Sequence, residues 1–276
     1  MTDLTGNNRR EFLALGSALA GVALLSGCND NSESNEEISV PVNDANLHEQ
    51  MAAKLGTQLG DSFLAGQLAT TLMDVCFSWE LPMIAATKIN SIVAYAFGNR
   101  PNAASGNTPS TGANQSAMPD PGPVNEALAD TIYQIYQLKP VKIYAQWEIA
   151  RFLVAKYNLG SDVLTSIEPI VAPDGSIVYL NTDDVASAII KLVGGASALG
   201  NVAVVGHRDH SKRCILTSKL RGMNASVVQE VALPVIYDPE SGQPWTRSRS
   251  LYLVHDMYAQ MYSQINLLVN QTYPND

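Results

Sequence analysis

The sequence predicts an α/β three-layer sandwich with a mostly parallel sheet, preceded by a helical N-terminal extension. Between residues 91 and 270, short apolar runs alternate with segments whose apolar residues recur every three or four positions, the pattern of strands alternating with helices. The runs SIVAYAF (Ser91–Phe97) and NVAVV (Asn201–Val205) are apolar on both of their alternating faces, as strands covered by helices on both sides must be. The 276-residue chain is 46% hydrophobic and 16% charged, which excludes a mainly disordered or fibrous protein.

The elements follow in order. Residues 45–90 form the helical extension: Leu47, Met51, Leu55, Leu59, Leu64, Leu68, Leu72 and Val75 keep helical spacing, with breaks expected at Gly56 and Gly60. Ser91–Phe97 is the first strand of the α/β domain, 91–270. The polar stretch Gly98–Gly122 has no periodicity, and a loop of that length inside a domain predicts a lid or an insertion. Val124–Leu138 is a helix with Leu128, Ile132, Ile135 and Tyr136 on one face; Val141–Ala145 is a strand; Trp147–Tyr157 is a helix. Val163–Val171 is a strand, and Asp174-Gly175 marks a turn. Asn181–Val193 is a helix, Asn201–Val205 a strand, Asp209–Leu220 a helix and Ser226–Ala232 the last strand. A long helix, Arg247–Asn270, closes the chain, with Leu251, Val254, Tyr258, Met261, Ile265 and Leu268 as its expected buried stripe.

The N-terminus carries an address. Arg9-Arg10 is a twin-arginine pair, followed by an uncharged stretch from Phe12 to Gly27 that is shorter than the roughly 20 residues a spanning helix needs. It ends in Leu25-Ser26-Gly27-Cys28, which looks like a lipobox with Cys28 as the lipidated residue. Residues 1–27 therefore read as a twin-arginine lipoprotein signal peptide and 28–44 as a disordered acidic tether. The expected location is periplasmic, anchored to the membrane by lipid. Asn29 after the lipidated Cys tilts this towards the outer membrane. A twin-arginine substrate folds before it meets an oxidising compartment, so Cys76 and Cys214 are expected as free thiols.

Ligands of a parallel α/β sheet bind beyond the carboxyl ends of its strands, so the residues just after each strand are the candidates for chemistry. The net charge of −9 argues against nucleic acid as a partner. VVGHRDHSKRC (Val204–Cys214) ends a strand, turns at Gly206 and opens a helix; His207, Arg208, His210, Lys212 and Arg213 make it a basic island. Two readings stay open here: a small anion held by Arg213 and the amide groups of the helix N-terminus, or a solvated helix start capped by Asp209. His210, at the first turn, is the candidate general acid or base, kept neutral by the helix terminus. Glu148, just after its strand, is the candidate partner carboxylate. Asn181-Thr182-Asp183-Asp184 reads as a capping box whose Asn181, Thr182 and Asp184 also orient a ligand hydroxyl. His207, Asp209 and His210 are metal-ligand types, but their spacing is not that of a helical ligand pair, and no metal is assigned. There is no GxGxxG, no phosphate-binding GxxxxGK[ST] and no GxSxG.

From about Ser91 to Ser263 these motifs resemble those of the ElyC/SanA/YdcF family of bacterial envelope proteins. SIVAYAFGNRP stands where that family has a strand ending in a Gly-rich turn, here with Gly98. YAQWEIARFLVAKY stands at its second strand and helix, with Glu148 as the acid. NTDDV matches its Asn-Thr helix start through Asn181, Thr182 and Asp184, and VVGHRDHSKRC supplies His210 and Arg213. The resemblance implies a Rossmann-like domain, envelope or peptidoglycan maintenance, and a small anionic molecule as ligand, phosphorylated or nucleotide-like; the cofactor stays open, with S-adenosylmethionine or a nucleotide as the candidates the resemblance offers. Ala145-Gln146 replaces the family's small-residue loop, so the alternative is a non-catalytic envelope scaffold with a degenerate pocket.

Overall fold

In the computed structural model, residues 43–102, 118–173, 175 and 177–273 are described; the segment read as a signal peptide, Cys28, most of the expected tether, Asp174 and the middle of the 98–122 loop lie outside them. Helices α1 (Asp44–Leu59) and α2 (Ser62–Leu72) form a hairpin. The chain reverses at Gly60, whose φ is +66°, and Asp61 caps α2 by accepting from Leu64 N at 2.9 Å. Gly56 does not break α1; it faces Ala65 and Ser62 of α2, where an added side-chain carbon would make ordinary contacts at 3.7 Å.

The helical expectation for 45–90 ends at a π-turn, Met73–Phe77. Met83–Ile84 is instead a short strand, β1, at the edge of the main sheet. Then follow β2 (Ser91–Ala94), α3 (Pro123–Leu138), β3 (Lys142–Gln146), α4 (Trp147–Tyr157) and β4 (Leu164–Ile167). The strand expected over Val163–Val171 divides: Ile170–Val171 (β5) leaves the sheet and pairs antiparallel with Ile177–Val178 (β6). The chain continues through α5 (Thr182–Val193), β7 (Asn201–Val205), α6 (Ser211–Leu220), β8 (Asn224–Val228) and α7 (Arg249–Thr272).

Six parallel strands lie in the order β1-β8-β7-β2-β3-β4. This is an α/β Rossmann-like sandwich. Alternation along β2 divides its core. Ile92 and Ala94 join Ile143, Ala145, Ala203 and Val205 under α3 and α4, against Leu128, Ile132, Ile149 and Leu153. Val93 and Tyr95 face the other way with Val202 and Val204, against Val185 and Ile189 of α5 and Cys214 and Ile215 of α6. The chain builds outward from β2 in one direction through β3 and β4, then crosses to build β7 and β8 on the other side. The switch point between β2 and β7 is where strand-end loops diverge and leave a crevice.

The last helix departs from its amphipathic pattern. Leu251, Val254, Tyr258, Ile265 and Leu268, read from the sequence as its buried stripe, are all more than half exposed. The face turned inward carries Tyr252, Asp256 and Gln260, each essentially inaccessible. Polar partners decide the orientation: Asp256 accepts from Arg213 Nε at 2.6 Å, from the Tyr252 hydroxyl at 3.0 Å and from Gln260 Nε2 at 2.8 Å. A buried network of this kind outweighs the burial of an apolar stripe that has no facing surface. Cys76 and Cys214 are both free.

Candidate functional site

The crevice at the switch point is a cavity of about 190 Å³. Its floor begins where β2 ends. Gly98 turns the chain with φ +68°, and a side chain there would stand 2.7 Å from both Ser241 Oγ and Thr246 Oγ1. Asn125, wholly buried at the start of α3, holds this turn: its Oδ1 accepts from Phe97 N at 2.9 Å, and its Nδ2 donates to Gly98 O and Pro121 O, both at 2.6 Å. The ends of the long loop are joined by paired backbone hydrogen bonds between Arg100 and Asp120, at 2.8 and 2.9 Å. Residues 103–117, which carry the expected lid, lie outside the described residues.

The end of β3 supplies Gln146 and Glu148. Gln146 bridges two walls, accepting from Ala96 N at 3.1 Å and donating to Leu180 O at 3.4 Å. Glu148 is 2% exposed. Its Oε1 accepts from Asn99 Nδ2 at 3.3 Å, while Oε2 has no partner and the side chain lines the cavity. Burial pushes its carboxyl up to about 7, against the opposing pull of its own helix backbone and of Asn99. A carboxyl poised near neutrality, with one oxygen unengaged, can both give and take a proton.

His210 and Arg213 come from the segment after β7. His210 sits in a single 3-10 turn, Arg208–His210, that precedes α6. Burial pushes its imidazole down to about 4, and the Arg213 charge adds to this; it is neutral at pH 7, but for those reasons rather than through the helix terminus. Its Nδ1 is unpartnered, 3.7 Å from Asp256 Oδ1, and its Nε2 lies 3.5 Å from Thr182 Oγ1. Arg213 is engaged on three sides: Nε with Asp256, Nη2 with the Tyr252 hydroxyl at 3.0 Å and Nη1 with Thr182 Oγ1 at 3.4 Å. Burial opposes both charges of the Arg213–Asp256 pair, and the pair outweighs it. Asp256 is held below the usual carboxylate range with Arg213 as its lasting partner, since His210 is uncharged.

Of the candidate side chains read from the sequence, Glu148, Asn181, Thr182, His210 and Arg213 line this one cavity together with Gly98. Asp184 does not line it. Its carboxylate accepts from Asn181 N at 3.1 Å and completes the capping box, in which Asn181 Oδ1 accepts from the amides of Asp183 and Asp184 at 2.8 and 3.1 Å. His207 does not line it either. It is wholly buried, stacked on Phe97 with ring centroids 4.1 Å apart, and its Nδ1 accepts from Asp209 N at 3.3 Å.

The anion reading of the basic island is reduced in the same way. Arg208 N donates to Pro234 O, Asp209 N to His207 Nδ1, His210 N to His207 O and Ser211 N to Arg208 O, so the first amides of this turn are already paired. Arg208 pairs with Asp209, Lys212 with Asp74 and Arg213 with Asp256. Asp209 is not a solvated cap. Nearly buried, its carboxylate also accepts from the Tyr237 hydroxyl at 2.8 Å and Arg249 Nε at 2.9 Å. Among the described residues, no group of three His, Cys, Asp or Glu is placed to hold a metal ion, and no helix is long and apolar enough to cross a membrane.

Sequence reasoning missed the outer wall. Gln243, Trp245, Thr246, Tyr252 and His255 line the cavity from the segment that leads into α7. Trp245 stacks on His255, with centroids 4.9 Å apart and planes 17° from parallel. The signal that was present is the four-residue spacing of Tyr252, Asp256 and Gln260, a polar face on a helix whose apolar residues are strong enough to mask it.

Comparisons with protein-family models, with curated proteins and with solved structures return no match.

Proposed function

We propose that this chain is an exported, lipid-anchored protein of the bacterial cell envelope whose sandwich binds a small polar ligand with one anionic group, in the service of envelope maintenance. The address rests on Arg9-Arg10 and the Cys28 lipobox, and kinship with the ElyC/SanA/YdcF family rests on the motifs around Glu148, Asn181 and Arg213. The binding part is carried by one observation: Glu148, Asn181, Thr182, His210 and Arg213, from three strand ends, line one cavity at the switch point, where the buried Glu148 keeps an unpartnered oxygen. In this reading the N–H groups of Arg213 left over from Asp256, Tyr252 and Thr182 take the anionic oxygen. Glu148 exchanges a proton with a ligand hydroxyl, and Asn181 offers its Nδ2 as donor, its Oδ1 being engaged in the cap. The scaffold alternative gives no use to Glu148, since a buried carboxylate with an unpaired oxygen lowers stability and persists where a ligand completes it.

The test is a thermal-shift screen of the purified lipidated protein against small carboxylates, sugar phosphates, nucleotides and S-adenosylmethionine. A ligand at one hundred times its Kd adds about 2.7 kcal/mol, a rise of roughly 5–10 °C for a domain of this size. Absence of a shift with every compound at millimolar concentration establishes the scaffold reading instead. For the address, globomycin should accumulate the precursor; a Cys28→Ser protein that is processed normally and stays on the membrane overturns the anchor.

A further inference from the structure

Resting on that binding reading, we infer that the ligand is a single hydroxylated ring of the pyranose class bearing one carboxylate, seated against Trp245 with a ring hydroxyl on Glu148. Size sets the first limit. A cavity of about 150 Å³ holds one benzene, so the 190 Å³ of this half-open crevice seats one substituted six-membered ring, and the rest of a larger ligand such as a dinucleotide would stand outside it. Wall chemistry sets the second. Asn181, Thr182 and Gln243 present amides and a hydroxyl, groups that pair with several hydroxyls at once, and Glu148 Oε2 is a buried acceptor without a donor. An apolar ring would leave these groups unpaired.

Charge sets the third limit. Arg213 is the cation of the wall and is already paired with Asp256; His210 is neutral, and the neighbouring amides of Arg208–Ser211 are engaged. That leaves attraction for one negative charge at most, and a phosphate dianion finds neither the cations nor the amides it needs. Trp245 supplies the face. One side of its indole is covered by His255, yet the residue is 40% exposed at the rim of the cavity. The electron-rich face of an indole attracts the positively polarised C–H groups of a sugar ring, while the sugar's hydroxyls point sideways to the polar wall.

The test is calorimetric titration of the full lipidated protein with glucose, galactose, N-acetylglucosamine, glucuronate and galacturonate, set against inorganic phosphate, glucose 6-phosphate and adenosine monophosphate. Glucuronate or galacturonate should bind, and more tightly than the neutral sugars; a neutral sugar that binds equally well removes the anionic group from both readings. Trp245→Ala should weaken uronate binding at least tenfold, with the ligand-free melting temperature held within about 2 °C, and Trp245→Phe should recover most of the loss. If phosphate, the phosphate ester or the nucleotide binds best, or if sugar binding ignores Trp245→Ala, the ring inference is overturned while the binding reading stands. If none of the sugars or phosphates binds but a compound of the thermal-shift panel does, the inference again falls alone; if nothing binds in either assay, both fall.

Discussion

Glu148→Gln tests the site through stability rather than through a ligand. The Glu148 carboxyl, ordinarily at 4.5, is pushed up to about 7 by burial. Between those two values the folded state holds more protons than the unfolded state, so this residue's contribution to stability falls as pH rises, and the loss is complete above 7. The size is about 3 kcal/mol, from roughly 1.36 kcal/mol per pH unit. Gln keeps an acceptor for Asn99 Nδ2 and does not ionise. His207 and His210, both pushed down to about 4 by burial, act in the opposite sense: each makes stability rise with pH between about 4 and 6.5. Both histidines are present in wild type and variant, so the difference between the two proteins isolates Glu148. Urea unfolding at pH 4.5, 5.5, 6.5 and 7.5 should show the Gln variant gaining on the wild type by about 3 kcal/mol over that range. A difference that stays flat with pH would refute the reasoning: the carboxylate would then be ionised in the fold with a cation close by.

Three further outcomes are expected. Arg213→Ala should lower stability by about 3–5 kcal/mol at pH 7, because it strands the buried Asp256. An unchanged melting temperature in calorimetry would restore the free anion site that the sequence suggested for Arg213. Gly98→Ala should cost at least about 1–3 kcal/mol by denaturant unfolding, since φ is +68° and the added carbon meets Ser241 and Thr246 at 2.7 Å. Under native conditions a thiol reagent should label Cys76 and leave the fully buried Cys214 untouched until urea is added; equal native reactivity would contradict the packing of α6.

The strands and helices of the sandwich were legible because each depends on local periodicity. Trp147–Tyr157 is read to the residue, and Asn201–Val205 likewise. The capping box at Asn181 and Asp184 was legible for the same reason, being a contact between residues three apart. What escaped depends on long-range partners. Nothing local in Met83–Ile84 distinguishes a strand from the end of a helical segment; its pairing with Val227 and Val228 does. Asp256 looked like one polar residue on an apolar helix until Arg213, from α6, turned that face inward. His207 and His210 are three residues apart and chemically alike, yet the 3-10 turn sends one onto Phe97 and the other onto the cavity wall. Residue type named both as candidates, and only the backbone path separates them.

The edge strand β1 carries a consequence for synthesis. Its neighbour in the sheet is β8, and next to it the Ala86 amide donates to both oxygens of Glu230, at 3.1 and 3.0 Å, across a separation of 144 residues. A ribosome delivers the earlier partner of this clasp long before the later one, so the segment bearing Met83–Ile84 must wait undocked while most of the sheet is still being made. Closing so long a loop is entropically costly, and the cost is recovered only when β8 is already seated on β7. The clasp therefore reports completion: a chain truncated before Val227 leaves its β1 segment loose and open to proteolysis, whereas a finished chain ties its first strand to its last.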